Sequence, residues 1–388
     1  MLALRLARGA HPLVQLRRLL VAAASAGTGF LLLCTLGYAM GRPDASGGAL
    51  LRLAWCVAPI AATVYFAVTV ARTDPATRPR SGLSAVGLGP AKLTVLAAIS
   101  TAVACTLGSM VALLFFLHLR GDLTGLPFDG AAADLLAADQ PLPVGAALTL
   151  LSLVPLTASA AGAAVLRPRT AKPGKEQDEP PRPDAPAAPP SGLPWGIALL
   201  AAGLAVEAYA SRSPGASDLT MPGGLTGSPA GVLAGWTLTA VGLALAGPGL
   251  TYLCGRLLQA VRPGAMRLLA GRGLQEEARR IGRPLGVLCA VGSGAYAALT
   301  LYSGARPDVG PLTTLGSLLV AGCAVLTLAT AAIEAKHARS DTTSALIQLG
   351  APVSMLRGTA ALRAATLVAV LGPLTWVVAE LAATPLAG

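Results

Sequence analysis

Ser344-Ala345-Leu346-Ile347-Gln348-Leu349-Gly350-Ala351-Pro352 links a short polar segment to a long apolar one. An earlier stretch, Ser81-Gly82-Leu83-Ser84-Ala85-Val86-Gly87-Leu88-Gly89-Pro90, has the same flanks, and Gly87 stands 263 residues before Gly350. A chain that repeats a loop between apolar segments in this way is expected to use both copies for one task. The order of those segments therefore decides the fold.

Of the 388 residues, 54% are hydrophobic and 12% charged, against about 25% charged in an ordinary soluble domain. Most of the chain is thus expected to lie in lipid. Nine segments reach the roughly 20 apolar residues that a membrane helix needs: 19–40, 50–71, 93–117, 143–166, 194–211, 230–254, 284–303, 311–333 and 360–383. The first is too long for a signal-peptide core and is read as a retained helix. The expected class is an all-α polytopic membrane protein with about nine spans.

The net charge of +11 would suggest nucleic acid on a soluble protein. Here its distribution points to topology. With a cytoplasmic N-terminus and alternating spans, the inner segments hold 24 of the 29 basic residues, the asymmetry of the positive-inside rule. That orientation predicts a multi-pass protein of the cell membrane. Aromatic residues make up 4%, too few for base-stacking platforms, so no nucleic-acid partner is expected.

The two stretches belong to a longer internal repeat. Arg17-Arg18 before span 1 matches Arg279-Arg280 before span 7 at an offset of 262. Spans 2 and 8, the two Gly-containing loops, and spans 3 and 9 then align. Both copies start from the same side, so the repeat is parallel, with its pseudo-axis along the membrane normal.

Four regions follow. Residues 1–166 form a first half with four spans. Residues 167–193, rich in proline, lysine and acidic residues, form a linker that cannot bury apolar surface. Residues 194–254 hold a central pair of spans, and 255–388 a second half with three. Residues 255–283 combine leucines with arginines, and Arg256, Leu257, Leu258, Val261, Met266, Leu268, Leu269, Leu274 and Ile281 can form an apolar stripe, broken at Pro263-Gly264, as expected of a helix lying on the inner membrane surface.

With these residues in view, the chain resembles an FtsX-like permease, the membrane subunit of the MacB, lipoprotein-release and bacitracin-resistance ABC systems. Three features carry the likeness: the basic entry segment Arg272-Gly273-Leu274 to Arg283-Pro284, the loop ending Ala345-Leu346-Ile347-Gln348-Leu349-Gly350-Ala351-Pro352, similar to the family's "LRALGA" segment, and the apolar helix beyond it to Leu371-Gly372. The likeness covers roughly 1–166 and 265–384. Two FtsX-like halves around an extra central helix pair resemble the bacitracin-resistance type in particular.

The resemblance implies a separate P-loop ABC ATPase partner, with ATP bound there and no cofactor in this chain. It implies export or extraction of an amphiphilic or peptide-like substrate. It assigns ATPase coupling to Ser81, Gly82, Leu83, Val86, Gly87 and Leu88 in the first loop, and to Leu346, Leu349, Gly350, Ala351 and Pro352 in the second. The chain departs from the family in three ways. A glutamate common early in the helix after the Gly-Ala segment is replaced by Arg363, or by the region of Ser100 in the first copy. Only 41–49 and 304–310 stand where a large extracellular domain is usual. The second half lacks a fourth span.

No GxxxxGK[ST], HExxH or GxSxG appears, so no catalytic role is expected in this chain. The six cysteines fall in apolar stretches without CxxC spacing and suit small packing residues. Asp122, Asp129, Asp134 and Asp139 suit a solvated outer loop. Glu207 is the one carboxylate well inside a span. It is either part of a proton or cation path or a hydrated residue near the outer surface beside Arg212. Glycines in spans 6 and 7 permit close helix approach, within the chain or at a dimer seam with a second copy or a paralogous permease. Two other classes stay open: a non-transporting assembly or sensory partner, and a proton-coupled carrier built on Glu207.

Overall fold

The computed structural model describes residues 12–74, 89–123, 127–167, 189–211, 230–260, 264–302 and 310–383. These residues form helices, with no strand among them. In chain order they are α1 (Pro12–Gly41), α2 (Ser46–Trp55), α3 (Val57–Thr73), α4 (Pro90–Arg120), α5 (Val144–Leu166), α6 (Leu193–Ser211), α7 (Ala230–Ala260), α8 (Ala265–Tyr302), α9 (Pro311–Ala338), α10 (Ser340–Gln348) and α11 (Val353–Ala383).

Eight helices or helix pairs among the described residues are long and apolar enough to cross a membrane. They coincide with eight of the nine expected spans. The remaining one, 284–303, falls as far as Tyr302 on the second part of α8, whose first part carries Arg267, Arg272, Glu276, Glu277, Arg279, Arg280 and Arg283. The second expected span is interrupted at Cys56, between α2 and α3. Pro59 explains the break, because it has no N–H to bond the carbonyl four residues back.

The helices form two compact units. One contains α1 to α5 and α9 through Thr327; the other contains α6 to α8, the rest of α9, α10 and α11. In the first unit, Leu32, Phe66, Cys105 and Val154 form the centre of an apolar cluster. Leu312, Leu315 and Leu319 of α9 pack against it, which is why this helix divides between units. Hydroxyl bonds add to the packing where helices meet. Ser25 donates to the Cys105 carbonyl at 2.9 Å and Ser109 to the Leu151 carbonyl at 3.0 Å. Thr28 and Thr63 share a bond of 2.9 Å. Such bonds satisfy groups that lipid could not.

The opposite side of α4 is bare. Val95, Ile99, Val103, Leu107, Val111 and Leu114 are exposed at helical spacing, as a lipid-facing stripe requires. Beyond the end of α4, Asp122, Asp129, Asp134 and Asp139 are exposed, as expected of a solvated loop, while Leu136 and Ala137 are buried, and so is Arg120, which donates to the carbonyls of Ala137 (3.2 Å) and Gln140. A guanidinium can satisfy several carbonyls at once, so this loop folds over a buried cation.

In the second unit, α6, α7 and α8 pack through glycines. A Cβ on Gly247 would overlap the carbonyl oxygen of Gly282, and one on Gly286 would overlap that of Leu243. The first part of α8 is continuous through Pro284 with the expected span; Ala270, Leu274 and Ala278 are buried, while Met266 and Leu268 are exposed. At 1.5 Å per residue, the 38 residues of α8 extend about 57 Å, well beyond a hydrocarbon core of about 30 Å. Of the stripe expected to face the membrane, Leu274 is buried and Leu257, Met266 and Leu268 are exposed; Gly271 is set against Gly255 of α7.

Candidate functional site

The second loop is a short helix with a defined stop. Arg339 N-caps α10, and none of the residues of α10 is buried. After Leu349 the chain turns through Gly350, whose φ is +88°. The Gly350 N–H donates to the Ile347 carbonyl and the Ala351 N–H to the Leu346 carbonyl, each at 3.0 Å. This is the Schellman pattern, which needs a residue without a Cβ penalty at the left-handed position. Pro352 follows, and its carbonyl accepts from Met355 and Leu356 in the first turn of α11. The Gly-Ala-Pro segment thus ends one helix and starts the next. It also displays Leu349, 84% exposed, with Ile347 and Val353 exposed beside it.

Of the expected coupling residues, Leu346, Leu349, Gly350, Ala351 and Pro352 therefore stand together. Ser81, Gly82, Leu83, Val86, Gly87 and Leu88 lie outside the described residues. Gly89 and Pro90, which follow them, form the N-cap and first residue of α4, a position suited to the fixed φ of proline.

A charge cluster that the sequence did not reveal adjoins the root of α10. Glu277 of α8 is 7% exposed. Its Oε1 lies 2.6 Å from Nη1 of Arg339 and 3.6 Å from Nη1 of Arg363. Arg339 also donates from Nε to the Ala335 carbonyl at 3.2 Å, so its head group joins the end of α9 to α8. The Arg363 head group lies where a Cβ on Gly273 would be. Burial pushes the Glu277 carboxyl up; Arg339 pulls it down, Glu276 adds to the rise and Arg280 opposes it, leaving it above the usual carboxylate range. A carboxyl raised on folding favours the fold at low pH and loses that contribution as pH climbs past its folded pKa. Ionised Glu277 is therefore a cost to the fold, and the pairs set geometry more than they add stability. The sequence offered one signal, an acidic pair amid the arginines of 267–283.

In the first unit, Arg18 of α1 pairs with Asp74, just past α3, at 2.6 Å. Arg17 donates to Thr73 at 3.3 Å. Arg18 and Asp74 line one small cavity with Ser100 and Thr101 of α4.

Glu207 lies between α6 and α7 with no exposed surface. Its Oε1 accepts from the Trp236 indole N–H, and its Oε2 has no hydrogen-bond partner. The expected hydrated surface position is not what α6 provides, since the close packing of Gly203 and Gly235 encloses the carboxyl. Arg212 lies outside the described residues. Glu207→Gln keeps an acceptor for Trp236 and is expected to melt within a few degrees of the wild type. Glu207→Ala orphans the indole, a loss of about 1–3 kcal/mol, and should melt clearly lower in the same detergent. Glu380, expected at a span end, accepts from the Tyr296 hydroxyl at 2.9 Å. The six cysteines are all buried and free, as packing residues should be. No group of His, Cys, Asp and Glu suited to a metal occurs among the described residues.

These features define an all-α, multi-pass membrane protein with a short exposed helix slung between two of its long helices. No family model, curated protein or solved structure matches the chain.

Proposed function

We propose that this chain is the permease subunit of an ABC-type transporter in the cell membrane. A separate P-loop ATPase would drive it, and an amphiphilic or peptide-like substrate would be exported or extracted. In this reading the chain has nine spans in two FtsX-like halves, its N-terminus and α10 are cytoplasmic, and 81–90 and 344–352 contact the ATPase.

The observation that supports it best is α10. A helix of nine residues that buries none of them, ending in a highly exposed leucine on a capped turn, is placed to offer an apolar contact to a partner subunit. Movement of that partner would be passed to α9 and α11, which flank it directly. The short link between α1 and α2, residues 42–45, favours one alternative, a non-transporting assembly or sensory partner without an outer domain.

The test is purification of the tagged protein from its own host in mild detergent, with mass spectrometry of what accompanies it. A stoichiometric P-loop ATPase is expected. Leu349→Glu places a charge in the contact and should reduce its retention at least about tenfold, the effect of roughly 1.4 kcal/mol. A preparation without an ATPase, or with an unrelated membrane protein in constant ratio, would replace the permease reading with the assembly or sensory one.

A further inference from the structure

We propose that Glu277 and Arg339 form a latch that holds the root of α10 against α8. The latch stands on geometry; its meaning as a coupling device rests on 344–352 being the coupling segment. Arg339 and Glu277 would act as positioning residues, setting where the loop starts.

Location supports the latch. Arg339 stands at the N-cap position of α10 without a side-chain capping bond, and its head group is held instead on two sides, by the Ala335 carbonyl and by Glu277. Arg363, a few turns beyond Gly350, reaches the same carboxylate oxygen. Both ends of the α10 loop are thus referred to one point on α8, although α10 itself buries no residue. Gly273 makes the arrangement possible, because any Cβ there would displace the Arg363 head group.

The internal repeat does not extend the latch to the first half. At the offset of 262, Glu277 corresponds to Gln15, Arg339 to position 77 and Arg363 to Thr101, whereas Arg18 and Asp74 correspond to Arg280 and Lys336. The latch belongs to the second half alone, and it rests on the convergence of Arg339 and Arg363 on Glu277.

Hydrogen–deuterium exchange of the full chain in phosphatidylcholine nanodiscs tests this without any ATPase present. Glu277→Gln is expected to speed exchange of the 340–351 amides about tenfold, equivalent to about 1.4 kcal/mol, while the melting temperature of the whole protein stays close to wild type. Arg339→Gln, at a side chain 34% exposed, serves as a second variant with the same expectation. Reversing the charges of the pair, E277R with R339D and R363S, should restore slow exchange, which simple loss of packing would not allow. Unchanged exchange in both single variants, or a reversed pair that exchanges as fast as E277Q, overturns the latch. The permease reading fails separately, if wild-type protein retains no ATPase.

Discussion

Gly247→Val is expected to remove nearly all folded protein from a mild-detergent preparation. The site lies where α7 and α8 run backbone to backbone. A Cβ on Gly247 would overlap the Gly282 carbonyl and come within 3.1 Å of the Gly286 nitrogen. In return, a Cβ on Gly282 would overlap Pro248. Main-chain atoms cannot rotate away as side chains can, so the helices must separate. Overpacking a well-filled interior costs about 1–3 kcal/mol, and a branched side chain against backbone belongs at or above the top of that range. Total stabilities of about 5–15 kcal/mol leave little to absorb this. Separation would also disturb the α8 surface that carries Glu277. Gly294→Ala is the control: nothing lies within 4 Å of its Cβ, and alanine is favoured over glycine inside a helix by about 0.5–1 kcal/mol. Size-exclusion profiles and thermal melting of both variants decide the matter. A Gly247→Val protein as monodisperse and stable as wild type would mean that the helices do not touch there.

Gly350→Val should reduce ATPase stimulation to about a tenth or less of wild type while leaving expression intact. The backbone at Gly350 has φ +88° and its built Cβ meets no atom within 4 Å. Any effect must therefore come from conformation, not from a clash. An L-residue in the left-handed region costs about 1–2 kcal/mol, with valine among the poorest choices and asparagine among the best. Valine is expected to release the Schellman bonds from Gly350 and Ala351 and redirect Leu349. Gly350→Asn can keep the turn and should retain most of the coupling. Stimulated hydrolysis in reconstituted vesicles is the measurement. Equal activity in both variants would sever the turn from coupling; equal loss in both would shift the cause from the backbone angle to the added side chain. Both outcomes count only once a partner ATPase has been identified, which makes the co-purification the earlier experiment.

Much of the architecture was legible before any coordinates. Long uncharged runs such as 93–117 and 360–383 leave a chain little choice: in lipid, each must satisfy its own backbone, and a helix does so internally. The exposed stripe of α4 from Val95 to Leu114 follows from that. The loop after α9 was also legible, because Gly350 and Pro352 are local stop signals. What the order of residues could not show was how faces pair. A helix that is apolar nearly all round has no hydrophobic stripe to mark its packed side. Nothing in α9 announced that Leu312, Leu315 and Leu319 would join the first cluster. Among the leucines of 267–281, local pattern could not show that Leu274 would be buried and Leu268 exposed.

Charges at long separation were hidden for a related reason. Glu277 and Arg339 are 62 residues apart, and their pairing depends on the angle at which α8 passes the end of α9. Glu207 shows the same limit. Its sequence neighbours placed it near the end of a span, whereas Gly203 and Gly235 let α7 come close enough to enclose it against Trp236. Composition and local pattern thus determine that this chain is helical, where its long helices run and where its loops turn, because those follow from solvation of the backbone and from short-range dihedral preference. Tertiary structure alone decides which glycines are contacts, which carboxyls are buried and which arginines they meet, because those depend on side-chain shape across helices that the sequence keeps far apart.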